Sequence, residues 1–143
     1  MIKRVVLCVM CFVLLAGFAG NYSAAAVELR AEPYAELLWE NAAQITLNMS
    51  FSNGTVTSTG SVIGKSGTTA IRATFVLARR NANGTFTEVD RWTATNGNIT
   101  ALLTTSRSTR NQPAGTYRLS VTASVTRNGR IETVTGNHTA TFR

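Results

Sequence analysis

Tyr117, Leu119, Val121, Ala123 and Val125 stand at every second position, with Arg118, Ser120, Thr122 and Ser124 between them. Successive side chains of a strand point to opposite faces, so this alternation predicts a strand buried on one face and wet on the other. Asn128-Gly129 follows directly and is a strong signal for a tight hairpin turn.

The same grammar recurs upstream. Ile45, Leu47, Met49 and Phe51 alternate with Thr46, Asn48 and Ser50 and are closed by Asn53-Gly54. Val56 to Ile63 reads as a weaker strand, with a turn from Gly64 to Gly67. Ile71, Ala73, Phe75 and Leu77 point one way, Arg72, Thr74 and Ala78 the other, and Asn83-Gly84 marks the next reversal.

Thr85 to Thr93 is less regular. Phe86 and Trp92 share a parity with Glu88 and Asp90, whereas Val89 has the opposite one, so a bulge shifts the register or both aromatics face water; we favour the bulge. Ile99 to Thr105 is a further strand, Ile131 to Thr135 returns from the last hairpin, and Thr139 to Phe142 closes the chain. Strands at this spacing without helical interruption predict an all-β antiparallel sandwich or barrel.

The N-terminus is of another kind. Lys3 and Arg4 precede an apolar run from Val5 to Gly20 and the small residues Ala24, Ala25 and Ala26, which predicts a secretory signal peptide over residues 1–26. Cleavage is expected after Ala26, with Ala19 or Ala25 as alternatives. It would remove Cys8 and Cys11, the only cysteines, so the mature protein is expected to lack disulfides. The remaining 117 residues are enough for one ordinary core. Residues 27–43 form a separate N-terminal segment; "PYAELLWENAA", Pro33 to Ala43, suits a short helix or an edge strand. The sandwich domain is expected over residues 44–143.

Charge is segregated along the sequence. Glu28, Glu32, Glu36 and Glu40 crowd the mature start, whereas from Asn41 onward 11 bases, ten of them Arg, face only Glu88, Asp90 and Glu132. A basic exported surface suits an anionic glycan or an envelope polymer, although charge of this kind also simply keeps a Thr-rich β protein soluble. Arg79, Arg80, Arg127 and Arg130 bracket hairpin turns and are the candidate anion-binding residues, expected to gather at one end of the sandwich. No aromatic ladder accompanies them, which argues against nucleic acid as a partner.

Other motifs fall short of a chemistry. "TGSVIGKSGT", Thr59 to Thr68, has three residues between Gly60 and Gly64 where a phosphate-cradling loop needs four, and β alternation follows it, so it reads as a turn with a solvated Lys65 and no nucleotide partner. His138 has no second histidine or cysteine with which to build a metal site and reads as solvated. Glu88 and Asp90 would lie on one strand face about 7 Å apart, near the spacing of paired glycosidase acids, but solvent-facing alternation produces the same pattern. Five N-x-[ST] triplets of the expected mature chain, at Asn48, Asn53, Asn83, Asn98 and Asn137, follow largely from composition, and no modification is expected. No cofactor, metal or catalytic residue is assigned, and the expectation is a protein that is not an enzyme.

"GKSGTTAIRATFVLARRNANGTFTEVDRW", Gly64 to Trp92, and "GTYRLSVTASVTRNGRIETVTG", Gly115 to Gly136, resemble a family of small secreted single-domain immunoglobulin-like proteins of gut Clostridia and related Gram-positive bacteria. Family members usually carry Lys or Gln where this chain has Ala78-Arg79-Arg80. The resemblance implies an immunoglobulin-like sandwich of about seven to eight strands, secreted or envelope-associated, and supplies no catalytic residues. Trp92, Gly115 and Tyr117 are its structural marks, and Gly115 with Tyr117 also looks like the tyrosine corner, where a phenol bonds back to the loop before its strand. The function expected is a non-enzymatic binding module at the cell envelope or on extracellular anionic ligands. The alternative is a structural subunit of an extracellular assembly, self-associating through edge strands.

Overall fold

The computed structural model describes residues 39–96 and 101–143. The expected signal peptide and most of the 27–43 segment lie outside them. So does Ile99.

Seven strands follow in order: β1 (Ala42–Ser52), β2 (Thr55–Gly64), β3 (Thr68–Arg80), β4 (Phe86–Thr95), β5 (Leu102–Thr109), β6 (Gly115–Arg127) and β7 (Arg130–Phe142). They form two antiparallel sheets, β1-β2-β5 and β4-β3-β6-β7. The chain crosses between sheets after β2, β4 and β5, which makes an immunoglobulin-like Greek-key sandwich. Its fourth strand lies beside the third, not in the sheet of the first two as in constant-type domains.

Three boundaries differ from the sequence reading. The first strand begins at Ala42, so no helix extends through Ala43. The fifth runs to Thr109, four residues beyond expectation, because its Thr and Ser positions pair with β2 as well as apolar ones do. The last strand is unbroken from Arg130 to Phe142, because Gly136 stays extended and holds its place opposite Val121.

Two of the turns obey their dipeptides, whereas Asn83-Gly84, with a positive φ at Gly84 alone, sits in a longer loop closed by the Asn81 N–H on the Thr85 carbonyl. Asn53 and Gly54 have φ of 47° and 71°, and Asn128 and Gly129 of 50° and 73°, the two successive positive values a two-residue hairpin of this type requires. The core is filled from both sheets by Val56, Val62 and Leu103 on one side and by Ile71, Phe75, Leu77, Tyr117, Leu119, Val121 and Val125 on the other. Gly60 has a packing role here, since a Cβ at that position would run into the Phe75 ring.

The expected bulge is present. Leu77 lies opposite Asp90 and Ala78 opposite Glu88, leaving Val89 as the extra residue of β4. Trp92 consequently stacks on Phe75 at the core, with ring centroids 5.4 Å apart, whereas Phe86 lies under Arg118. Glu88 and Asp90 are thereby split between opposite faces, and the sequence expectation of a same-face carboxylate pair is corrected by that one extra residue.

Candidate functional site: the arginine end of the sandwich

The register of β3 on β6 decides where the arginines lie. Thr68 is opposite Arg127 and Arg79 is opposite Tyr117. A strand of 13 residues rising about 3.3 Å per residue spans roughly 40 Å. Arg79 and Arg80 are therefore at one end of the sandwich and Arg127 and Arg130 at the other. The four do not form one cluster, because hairpins that follow two antiparallel neighbours turn at opposite ends.

At the first end, pairing of Ala78 with Arg118 adds a third arginine that the sequence reading did not assign to a site. Its guanidinium lies 4.1 Å from the Phe86 ring centre, a cation–π distance. The Nε atoms of Arg79 and Arg118 are both buried without a hydrogen-bond partner. Arg79 approaches Gly115 closely: a Cβ on residue 115, whose φ is +152°, would stand 3.4 Å from the Arg79 Nε. Arg80 borders an open groove of about 490 Å³ lined also by Asn81, Ala82, Asn83, Gly84 and Thr116.

The loop forming this groove is internally braced. Asn81 N–H donates to the Thr85 carbonyl at 2.7 Å and Gly84 N–H to the Asn81 carbonyl at 3.0 Å. Asn81 Nδ2 donates to Thr85 Oγ1 and Thr87 Oγ1, and Asn83 Oδ1 accepts from the Thr85 hydroxyl at 2.6 Å. Beneath it, Tyr117 is fully buried and its hydroxyl donates to the Pro113 carbonyl at 2.6 Å, which is the tyrosine corner. Burial pushes the Tyr117 phenol up, with the Arg79 charge opposing.

The neighbouring acids are already engaged. Glu88 accepts both Arg91 Nε and Nη2, at 3.0 and 2.6 Å, and that hydrogen bonding holds its carboxyl below the usual range. Asp90 reaches across to the other sheet, accepting from Arg107 Nε at 3.1 Å and Thr109 Oγ1 at 2.8 Å. Desolvation would raise the Asp90 carboxyl, but Thr109, Arg107 and the Arg91 N–H outweigh it and lower it. Among the described residues, no acidic side chain pairs with Arg79, Arg80 or Arg118.

The opposite end uses its charges differently. The Glu132 carboxylate accepts three successive backbone donors, Glu40 N at 2.8 Å, Asn41 N at 2.7 Å and Ala42 N at 3.2 Å. Desolvation opposes ionisation there, yet these donors and the nearby Lys65 charge hold the carboxyl below its ordinary value. Arg127 Nε donates to the Ser66 carbonyl at 2.7 Å, and Lys65 Nζ donates to the Trp39 carbonyl. Lys65 is thus a latch on the chain entering β1, where the sequence suggested only a solvated turn residue. The buried Asn41 side chain donates to the Val125 and Arg130 carbonyls.

His138 lies opposite Leu119 and is half-buried, more enclosed than its solvated reading. Among the described residues, no three His, Cys, Asp or Glu side chains are grouped so as to hold a metal ion.

No family model matches the chain, and no curated protein matches it. Among solved structures, it is similar to a β-glucuronidase of Bacteroides uniformis, determined covalently bound to cyclophellitol-6-carboxylate aziridine, with a TM-score of 0.45 and 13% identity over 69% of this chain. The chain spans only 13% of that enzyme's length. It is also similar to CsgH of R. palustris, with a TM-score of 0.39 and 16% identity over 68% of this chain and 90% of that one.

Proposed function

We propose that this protein is an exported, non-enzymatic immunoglobulin-like binding module that takes an anionic group of an extracellular or envelope polymer at the end carrying Arg79, Arg80 and Arg118. One observation carries the reading: among the described residues, three guanidiniums at one end of the sandwich lack an acidic partner, and two of them have a buried Nε without a hydrogen-bond partner. An unpaired guanidinium offers a planar fork matched to carboxylate, sulfate or phosphate, which lysine does not. The groove beside Arg80 is also lined by Asn83, whose Oδ1 is held by Thr85 while its amide nitrogen can donate to an anion. Export rests on the basic, apolar and small-residue succession of residues 1–26.

Two measurements test this. N-terminal sequencing of protein recovered from the medium of an exporting host should begin at Val27; retention of the leader inside the cell overturns export. Retention on a heparin or wall-polymer column at low ionic strength should be lost in the double variant Arg80→Gln/Arg118→Gln and kept in Arg127→Gln/Arg130→Gln. Wild-type protein that flows through, or equal loss in both variants, removes the assignment of the site to this end. A structural-subunit role is the second reading, favoured by the charge-free edge of β1.

A further inference from the structure

The two flanks of the sandwich are finished differently. On one flank, the edge strands β4 and β5 carry the devices that keep sheet edges from pairing with other chains. These are the bulge at Val89, the Glu88–Arg91 ion pair and the Asp90–Arg107 bridge. On the other flank, among the described residues, β1 pairs with β2 alone, and from Ala42 to Gly64 the hairpin of these strands contains no charged residue. In a domain with 11 bases and three acids, an uncharged hairpin ending in an open edge is where a second copy meets the least local repulsion.

We propose that β1 pairs antiparallel with β1 of a second copy about a two-fold axis at Asn48. Three features of the strand suit this partner. Ile45, Leu47 and Phe51 pack against the core yet remain half-exposed, whereas Val56 and Val62 on the central strand are fully buried; a further strand would cover the first three as β1 covers the last two. The Ser52–Thr55 pair closes the two-residue hairpin, which turns the amides of odd-numbered residues to the open edge; there the Met49 N–H is held by Asn48 Oδ1 at 2.9 Å, a local bond that pairing exchanges for the Leu47 carbonyl of the second copy. A two-fold at Asn48 then puts Leu47 opposite Met49 and Ile45 opposite Phe51 in hydrogen-bonded pairs on the core side. Outside, Thr46 faces Ser50 and Asn48 faces itself.

No like charges meet in this register, and each apolar residue finds an apolar partner. The product is a continuous six-stranded sheet, β5-β2-β1 joined to the same strands of the second copy. The two-fold sends the two arginine ends in opposite directions, so the dimer bridges two anionic groups; that consequence alone rests on the function proposed above.

The dimer is testable without any anion. Sedimentation equilibrium of the exported protein should show a monomer–dimer equilibrium, and Asn48→Lys, which places two ammonium groups face to face, should weaken it tenfold or more while leaving the far-UV spectrum unchanged, and the melting temperature unchanged at dilutions where the wild type is monomeric. Asn48→Cys provides the second arm. Directly opposed residues in a non-hydrogen-bonded antiparallel pair have Cα atoms about 4.5 Å apart, within disulfide reach, so mild oxidation should yield a covalent dimer. Ser106→Cys, on β5 at the other flank, should not. A wild type that stays monomeric at high concentration, a dimer that survives Asn48→Lys, or equal cross-linking through Ser106→Cys would each overturn the pairing.

Discussion

The two ends of this sandwich carry the same kinds of charge and, the exposed Arg130 apart, put them to opposite uses. At the end where the chain enters β1, Lys65, Arg127 and Glu132 are all bonded to backbone groups of residues 39–42 and 66. At the other end, Arg79, Arg80 and Arg118 have no acidic partner among the described residues, and the adjacent loop is braced by its own Asn and Thr side chains. A charge that completes the hydrogen bonding of the backbone is part of the fold. A charge left over by the fold is what a ligand can use.

The largest effect that can break this contrast is expected at the latch. Glu132→Ala leaves three backbone donors without their charged acceptor, and we expect it to cost about 3 kcal/mol of unfolding free energy. Chemical denaturation checks this, and a loss below about 1 kcal/mol would mean that water replaces the carboxylate freely. The same residue sets a pH dependence. Its folded-state carboxyl is held below the ordinary value, so its contribution is present above the unfolded value of about 4.3 and is lost as pH falls through the lower folded value. Asp90 acts in the same sense between the sheets. Stability of the wild type should therefore fall below about pH 4.3, and more steeply than that of Glu132→Ala.

Next in size is the tyrosine corner under the arginine end. Tyr117→Phe keeps the buried ring and removes only the hydroxyl that donates to Pro113, leaving that carbonyl without its donor. A cost of about 2 kcal/mol is expected. An unchanged denaturation midpoint would show that the corner is decorative and that the 110–114 loop is held by other means, such as the Gln112 N–H donating to the Gly54 carbonyl at 2.8 Å.

How far the sequence could be read follows from what each feature depends on. Strand identity and facing are local properties, and the alternation in β1, β3 and β6 places every core residue it names on the inner face; the Asn-Gly turns and the bulge at Val89 were likewise legible as interruptions of a period of two. The arginine placement was not, because it depends on which strands are neighbours. Arg79-Arg80 and Arg127/Arg130 look equivalent along the chain, each beside a hairpin, and only the antiparallel pairing of β3 with β6 sends them to opposite ends. That pairing was implied by the immunoglobulin-like topology, and drawing it out would also have brought Arg118 to the Arg79 end. The latch at Glu132 had no sequence signal, since its partners are backbone amides some ninety residues away.

Lys65 tests the same boundary between fold and surplus on a smaller scale. Its ammonium group donates to the Trp39 carbonyl, yet the residue is exposed. Water can take over much of that bond, so Lys65→Ala should cost no more than about 1 kcal/mol, and no nucleotide affinity should change with it. Saturable ATP binding to the wild type that disappears in the variant would contradict the turn assignment of Gly64 to Gly67.

The smallest stability effect is expected from the residue proposed to matter most for binding. Arg80 is exposed and unpaired, its guanidinium lies near Gly84, and it lines the groove without holding it together. Arg80→Gln keeps the aliphatic stem and a hydrogen-bonding tip while removing the charge, so the unfolding free energy should stay within about 0.5 kcal/mol of wild type. Arg127→Gln, by contrast, breaks the bond to the Ser66 carbonyl and should cost about 1 kcal/mol. On a polyanion column the order should invert, with Arg80→Gln eluting at lower salt than Arg127→Gln, because Arg80 is free to meet the ligand and Arg127 is already committed. The two variants remove one positive charge each, so net charge cannot explain a difference between them. Equal elution would mean that the resin senses only total charge, and the distinction between the two ends would then be one of stability alone.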